Sequence, residues 1–161
     1  MLTAALVVVQ LSLLGLVTGA LAPRVRPRYL DRDNVLLRTR PWERSFYERL
    51  HIRSFKDRLP DAGTWFAGTS KRTLPGTDDL ALATYTVETR RAEYVHWANV
   101  AAPATLLTWL PPAPVAAIAA VNALAHAPFI AVQRYNRARI AAIAERRARP
   151  FEGPAGGSRR S

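Results

Sequence analysis

Two long stretches without a charged side chain constrain the fold of this chain more than any other feature. Residues 1–23 and 97–133 contain no Asp, Glu, Lys or Arg. An uncharged apolar stretch of about 18 residues or more is a candidate membrane span, because about 20 helical residues cross a ~30 Å hydrocarbon core. The segregation excludes a simple soluble globule. It also excludes full disorder, which requires low hydrophobicity along the whole chain.

Length and composition set further limits. The chain has 161 residues, enough for one ordinary domain, and its net charge is +11. It contains no cysteine, which excludes disulfides, thiolate nucleophiles and zinc sites built on cysteine. The basic charge alone does not indicate nucleic-acid binding, since the sequence shows no pattern of a nucleic-acid-binding fold. We therefore expect no nucleic-acid partner.

The first apolar stretch, residues 2–22, has the length of one membrane crossing. Four arginines follow it closely, at positions 24, 26, 28 and 32, and the positive-inside bias then places the N-terminus outside the cell. The alternative is a cleaved signal peptide, because residues 20–22 imitate a cleavage site. No basic residue precedes the apolar run, however, so we expect a retained anchor.

The polar segment between the apolar stretches is predicted to contain a short helix that opens at Pro41. Trp42, Phe46 and Leu50 recur at a spacing of four among charged residues. Such a helix fits either the lipid headgroup layer, with its aromatic face inward, or a small cytoplasmic core. Residues 59–76 are turn-rich, and residues 77–79 are typical of a helix start with acids in its first turn.

The second apolar stretch is too long for one span and contains prolines at positions 103, 111, 112 and 114. A helical hairpin with its turn at the prolines is the best solution, with arms at residues 97–110 and 115–133. The first arm reaches only about 21 Å at 1.5 Å per residue, so it is either tilted or re-entrant. Basic residues flank both ends of the hairpin, which places both ends in the cytoplasm.

The predicted fold class is an all-α integral membrane protein. It comprises an N-terminal transmembrane helix (1–23), a cytoplasmic or interfacial amphipathic and linker segment (24–96), a membrane helical hairpin (97–133), and a basic cytoplasmic helix with a disordered tail (134–161). The expected location is the cell membrane, with several passes, the N-terminus outside and the C-terminus in the cytoplasm.

One polar cluster lies where the first hairpin arm meets the cytoplasm. Glu88, Glu93 and His96 fall within a sector of about 140° on a helix. Glu93 and His96 are one turn apart, and a hydrogen bond between them would make the imidazole a general base toward an alcohol. Alternatively, the face is held by Glu–Arg pairs, with Trp97 as an interfacial anchor. A lone Glu-x-x-His is half of a di-metal pattern without a second copy, so we expect no metal.

A second polar cluster follows the other arm. Its members share one helical stripe: Asn122, His126, Gln133, Asn136 and Arg137. Polar groups in a membrane span mark a functional site by default, although interhelical hydrogen bonds that merely hold the helices together are the alternative. The hairpin brings this stripe, with Tyr135 and Arg134, to the depth of His96. That arrangement suits an anionic, lipid-like substrate at the membrane surface.

Three strings of the sequence resemble a known family. They are residues 55–63 (FKDRLPDAG), 88–97 (ETRRAEYVHW) and 128–137 (PFIAVQRYNR). In this order they are similar to the glycosyl-4,4'-diaponeurosporenoate acyltransferases, small bacterial membrane proteins, over roughly residues 42–140. The resemblance implies transfer of a fatty acyl group to the glucose 6-hydroxyl of a glycosylated C30 carotenoid acid, in the bacterial inner membrane. Another membrane glycolipid or a polyprenyl-type alcohol is the alternative acceptor.

Roles for individual residues follow from their chemistry. His96, oriented by Glu93 or Glu88, is expected to take the proton of the attacking hydroxyl. Hydrogen bonds to the oxyanion are expected from Gln133, Tyr135 or Asn136. Substrate contacts are expected from the remaining polar residues of both clusters, with the arginines holding phosphates or headgroups; these are Arg90, Arg91, Asn122, His126, Arg134 and Arg137.

The expected partners are membrane lipids, a lipid-like glycosylated substrate and an acyl donor. The donor is acyl-CoA or acyl carrier protein as a co-substrate, and no bound cofactor is expected. A different class of function remains open at this point. The chain also fits a non-catalytic membrane scaffold or lipid-binding subunit, in an oligomer or a biosynthetic complex.

Overall fold

A computed structural model describes residues 1–55 and 78–148, and the described residues are helical with no β-strand. The α-helices are α1 (Leu2–Leu21), α2 (Pro41–Arg49), α3 (Ile52–Phe55), α4 (Asp79–Ala101) and α5 (Pro112–Ala148). Short 3₁₀ helices cover Ala22–Arg24, Pro27–Tyr29 and Ala102–Thr108. The turn-rich segment predicted at residues 59–76, part of the string at 55–63, and the tail from residue 150 lie outside the described residues.

An antiparallel hairpin of α4 and α5 forms the centre of the fold. The α-helix of its first arm ends at Ala101, whereas the sequence predicts an arm that reaches residue 110. Asp78 caps α4 by accepting a hydrogen bond from the Ala81 N–H at 2.9 Å. The helix then runs without a break past Trp97. The connection is the 3₁₀ helix Ala102–Thr108, which has a proline in its first turn, where no backbone donor is needed.

The second arm differs from its predicted bounds. The α5 helix begins at Pro112, three residues earlier than expected, because proline fits the first turn of a helix. It continues through Pro128 to Ala148 as one helix of 37 residues. The predicted boundaries at 96/97 and 133/134 therefore fall inside continuous helices. An apolar stretch ends where the solvent changes, whereas a helix ends only where its hydrogen bonding is interrupted.

Polar contacts along its length hold α1 against the hairpin. The Thr18 hydroxyl donates to Asn99 Oδ1 at 2.9 Å. Nearer the N-terminus, Gln10 Nε2 donates to Thr105 Oγ1 at 2.8 Å, while Gln10 Oε1 accepts from Trp109 Nε1 at 2.9 Å. These contacts pack α1 along the hairpin.

Two helices are long and apolar enough to cross a membrane, Leu2–Arg24 with its 3₁₀ extension and Pro112–Ala148. In the most apolar 18-residue window of each helix, only 11% and 17%, respectively, is buried inside the protein. The core helix of a soluble protein is mostly buried, whereas these helices expose rows of Leu and Val side chains. Surfaces of this kind require an apolar solvent, so the structure indicates association with a membrane.

The predicted short helix from Pro41 is present as α2. One of its faces packs on α5, and another face is exposed. Glu43 and Tyr47 are buried against α5, in a cluster with Ile52. The opposite face leaves Trp42 and Phe46 exposed at 55% and 45%, with their rings 5.8 Å apart at the centroids. The helix is thus docked on the hairpin and still presents an aromatic face, as an interfacial helix does.

Candidate functional site

Two histidines meet at the interface of α4 and α5. Nδ1 of His96 lies 3.2 Å from Nδ1 of His126, and the Phe129 ring stacks on the His96 ring with centroids 4.9 Å apart. The spacing of the polar stripe on α5 predicts that His126 shares a face with Asn122. Both side chains do point toward α4, and Asn122 Nδ2 donates to the carbonyl of Asn99 at 2.7 Å.

The hydrogen bond between the two rings constrains their protons. A neutral imidazole carries its proton on one nitrogen only. If one ring donates from Nδ1, its own Nε2 has a lone pair, while the accepting ring carries its proton on Nε2. The pair therefore presents one unprotonated Nε2, which can act as a base, and one Nε2–H, which can act as a donor. A proton gained by the donating ring would be stabilised by the Nδ1 contact, which becomes a charge-assisted hydrogen bond.

Glu93 has a different role from the one expected. Its side chain is fully buried, with Oε1 accepting from Trp97 Nε1 at 3.1 Å and from Arg134 Nη1 at 2.9 Å, and with Oε2 paired with Arg137. Two guanidinium groups and an indole N–H thus take up the buried carboxylate, and hydrogen bonds from guanidinium groups are charge-assisted. The contact expected between Glu93 and His96 stays a prediction.

Arg134 connects Glu93 with the N-terminal half of the chain. It holds Glu43 through two parallel hydrogen bonds, Nε to Oε2 and Nη2 to Oε1, each 2.8 Å long. It also donates to the backbone carbonyls of Leu36 and Arg38 at 2.9 and 2.7 Å. All of its donors are thus directed at protein groups, and Arg134 fixes the segment that precedes α2 onto α5.

The titration of two side chains in α2 follows from this arrangement. Burial raises the pKa of Glu43, but the hydrogen bonds and charge of Arg134, with the Arg40 N–H, outweigh it, so the pKa of Glu43 lies below its ordinary value. Burial and then the negative charge of Glu43 raise the pKa of Tyr47. Glu43 is therefore held as a carboxylate and Tyr47 as a neutral phenol.

Unpaired buried donors lie further along the same stripe of α5. Gln133 is 1% exposed and Arg137 is 5% exposed. Among residues 1–55 and 78–148, no hydrogen-bond partner is found for Nε2 of Gln133 or for Nε and Nη1 of Arg137. Leaving a buried donor unpaired costs about 1–3 kcal/mol, so such groups indicate an acceptor that binds there.

Two of the predicted residues serve other contacts. Asn136 Nδ2 donates to the Tyr85 hydroxyl at 3.2 Å, which is an interhelical hydrogen bond between α5 and α4. Tyr135 lies on the opposite side of α5, in the apolar cluster with Tyr47 and Val132. It cannot reach the stripe, because two residues along a helix turn the side chain by about 200°. The oxyanion contact expected from Tyr135 stays a prediction that this packing does not support.

The adjacent arginines of α4 are separated from the α5 stripe. Arg90 donates to the carboxylate of Asp33 and to the carbonyl of Leu30. Arg91 pairs with Glu88 and donates to the carbonyl of Val25. Both side chains thus anchor the segment after α1. The orienting role expected of Glu88, and the phosphate or headgroup contacts expected of Arg90 and Arg91, stay predictions.

Glu43 and Phe129 have no clear signal in the sequence that would predict their place in the site. Glu43 is one of several charges in a short basic helix, and its burial depends on contacts between residues 91 positions apart. Phe129 is three residues from His126, a spacing that places both on one side of α5. Among the residues described, no group of three or more His, Cys, Asp or Glu side chains could hold a metal ion.

Comparison with known families bears on this geometry. The sequence pattern of the glycosyl-4,4'-diaponeurosporenoate acyltransferases matches residues 32–146. The chain belongs to this family. The matched region contains α2, α4, all but the last two residues of α5, and every residue of the stripe described above. Membership in the glycosyl-4,4'-diaponeurosporenoate acyltransferase family implies an acyltransferase of carotenoid biosynthesis. Neither a curated protein nor a solved structure matches the chain.

Proposed function

We propose that this protein transfers a fatty acyl group to a hydroxyl of a glycosylated carotenoid or a related membrane glycolipid. The observation that carries the proposal is the hydrogen-bonded pair of His96 and His126 inside the region matched by the family. The pair supplies a base without a cysteine or a metal, and it lies on a helix whose apolar surface suits a lipid-like substrate.

In the proposed reaction His96 is the base. His96 donates a hydrogen bond from its Nδ1–H to Nδ1 of His126. Its Nε2 then takes the proton of the sugar hydroxyl while the hydroxyl oxygen attacks the carbonyl carbon of an acyl thioester. The C–S bond then breaks, the thiolate takes the proton back from the imidazolium, and the ester and free thiol are released. His126 replaces Glu93 as the group that orients His96, through the 3.2 Å contact.

The unpaired donors of Gln133 and Arg137 suit a different part of the substrate. Gln133 is seven residues beyond His126, about 10 Å along the helix axis. This distance is too long for a group on the reacting carbonyl, so the original assignment of Gln133 to the oxyanion is replaced. We assign the amide and the guanidinium to acceptor oxygens of the sugar or of the donor's phosphate.

The membrane arrangement belongs to the same proposal. The basic segment after α1 and the basic end of α5 would lie in the cytoplasm, with the N-terminus outside. Acyl-CoA and acyl carrier protein are both polar, phosphate-bearing donors. An active site at the cytoplasmic boundary would be open to either of them, while the lipid-like acceptor reaches it from the bilayer.

The decisive experiment is acyl transfer by purified protein. The protein in lipid nanodiscs is given palmitoyl-CoA or palmitoyl carrier protein with a glycosylated C30 carotenoid acid, and the ester is measured by mass spectrometry. Loss of a general base lowers the rate about 10²- to 10⁴-fold, which is the expectation for His96→Ala. His51→Asn is the matched control, since His51 is exposed and outside the site. Full activity of His96→Ala would refute the mechanism.

A non-catalytic role has its own supporting observation. Glu93, Arg134 and Arg137 pair mainly with one another, and Asn122 bonds the backbone of α4, as packing groups do. A scaffold or lipid-binding subunit would co-purify with a larger enzyme and show no transfer alone. Lipid profiling of a deletion strain then distinguishes the enzyme from the scaffold. If the protein is the enzyme, the deletion removes one acylated lipid, and a plasmid copy carrying His96→Ala does not restore it. If the protein is a scaffold, the His96→Ala copy restores the lipid.

A further inference from the structure

A groove of about 410 Å³ lies between α4 and the C-terminal end of α1. Its walls include Leu21 and Val25 on one side and Val95 and Ala98 on the other. The groove is on the side of α4 turned away from α5, whereas His96 and Glu93 face α5. Its volume falls within the roughly 300–1,000 Å³ of sites for small molecules.

The shape and lining of the groove favour a hydrocarbon chain. Ala98 and Arg91, both of which line it, are seven residues apart on α4, about 10 Å along the helix axis. Most of the lining is apolar, and the hydroxyls of Tyr94 and Thr18, which also line the groove, are hydrogen-bonded to Asn34 and Asn99. Leu21 and Val25 remain exposed to the surroundings of α1. An elongated, open and apolar slot beside an apolar helix buries an acyl chain at no cost in unpaired polar groups.

Positive charge is concentrated at one end of the groove. Arg91 lines that end, and its other nitrogens bond Glu88 and the Val25 carbonyl. Its buried Nε has no hydrogen-bond partner in the part of the chain that the structure describes. Tyr29 lines the same end, and the Arg28 guanidinium lies 4.8 Å above its ring. Within the described residues Arg28 forms no ion pair, so its charge is available to an anion.

We propose that this groove binds one acyl chain of an anionic membrane phospholipid, with the lipid phosphate beside Arg91 and Arg28. The charged end lies where the apolar run of α1 gives way to the arginine-rich segment, which is the depth of lipid headgroups. The site is separate from the histidine pair. Its occupancy is therefore independent of whether the chain catalyses acyl transfer.

The test is lipid binding by the purified full-length protein, followed by native mass spectrometry. The protein in detergent is titrated with dioleoylphosphatidylglycerol, with dioleoylphosphatidylcholine, and with glycerol phosphate alone. We expect one phosphatidylglycerol per chain, bound about tenfold or more tightly than phosphatidylcholine. Both lipids carry a phosphate, but the trimethylammonium group of phosphatidylcholine cancels its charge and is repelled by the arginines. Glycerol phosphate should not bind at these concentrations. If the unaltered protein bound the two lipids with equal affinity, or bound glycerol phosphate alone, the proposal would be overturned.

Variants locate the site. Ala98→Phe fills the groove and should lower phosphatidylglycerol affinity about tenfold or more, whereas Ala117→Phe on the exposed face of α5 should not. The double substitution Arg28→Gln with Arg91→Gln should reduce phosphatidylglycerol binding to the phosphatidylcholine level, whereas Arg53→Gln should leave it unchanged. Equal lipid affinity of Ala98→Phe and Ala117→Phe would place the lipid elsewhere.

Discussion

Arg134 and Glu43 are joined by two parallel hydrogen bonds of 2.8 Å across 91 positions of the sequence. The pair ties the short helix α2 to the long helix α5, and Arg134 also bonds Glu93 on α4. Three helices thus converge on one planar guanidinium. A lysine has a single ammonium group and could not make these contacts together.

The Glu43 carboxylate should make stability depend on acid pH. Its pKa in the folded protein is below the ordinary 4.5, so its contribution is fully present above that value and is lost as pH falls through the folded pKa. At pH 7, Glu43→Gln should lower the free energy of unfolding by about 1–3 kcal/mol. The difference between the variant and the unaltered protein should shrink below about pH 4.5, as measured by denaturant unfolding in detergent. A difference that is constant from pH 7 to pH 3 would contradict this.

Removing the charge of Glu93 should be much more damaging than removing that of Glu88. Glu93→Gln leaves Arg137 buried without a counter-charge, and breaking a buried pair costs about 3–5 kcal/mol. Glu88→Gln is the matched control, because Glu88 is partly exposed and such pairs contribute about 0–1 kcal/mol. Thermal unfolding followed by circular dichroism measures both. Similar losses for the two variants would show that the Glu93 network is not a buried ion-pair cluster.

The orienting role of His126 predicts a graded effect on acyl transfer. His126→Phe removes the partner of His96 Nδ1 and should lower kcat about 10- to 100-fold, a typical cost of losing the group that orients a functional histidine. His126→Asn retains a hydrogen-bonding amide and should recover part of that loss. Steady-state kinetics should show the change in kcat rather than in KM. A KM effect alone would assign His126 to substrate binding.

Periodicity and charge in the sequence predict the helices and the hairpin, because both depend on local properties. The uncharged stretches indicate α1 and the hairpin, Asp78 and Asp79 mark the start of α4, and Pro41 opens α2. The stripe of polar residues on α5 is likewise local, since spacings of three and four share a helix face. Its direction toward α4 follows from the hairpin.

The partners of the charged residues could not be predicted in this way. Glu93 is one turn from His96, and sequence spacing alone favours their contact. Its pairing with Arg134 and Arg137 depends on the relative rotation of α4 and α5 about their axes, which packing sets. The role of Glu43 depends on how a segment 91 positions away folds back. Ion pairs between residues that are far apart along the chain leave no recognisable pattern in the local sequence.

A strained residue at the end of α2 offers a stabilising substitution. His51 has φ of 53°, in the left-handed region, and its N–H donates to the carbonyl of Glu48 at 3.0 Å as the helix ends. Glycine is favoured at such a position because it has no Cβ to clash. His51→Gly should raise the free energy of unfolding by about 1 kcal/mol, whereas His51→Ala, which keeps a Cβ, should not. Denaturant titration distinguishes them, and equal stabilities would mean that the left-handed turn is not strained.

The depth of the hairpin tip can be measured directly, since the chain has no cysteine and any introduced thiol is unique. Trp109, next to the tip, bonds Gln10, so about eight residues of α1, or ~12 Å of helix, continue beyond this contact. We therefore predict a re-entrant hairpin whose tip ends inside the apolar layer. In intact cells a membrane-impermeant maleimide should label Leu2→Cys and fail to label Ala113→Cys, while Glu145→Cys should react only after permeabilisation. If Ala113→Cys reacts as fast as Leu2→Cys, the hairpin crosses the membrane completely; if Glu145→Cys reacts in intact cells, the proposed orientation is reversed.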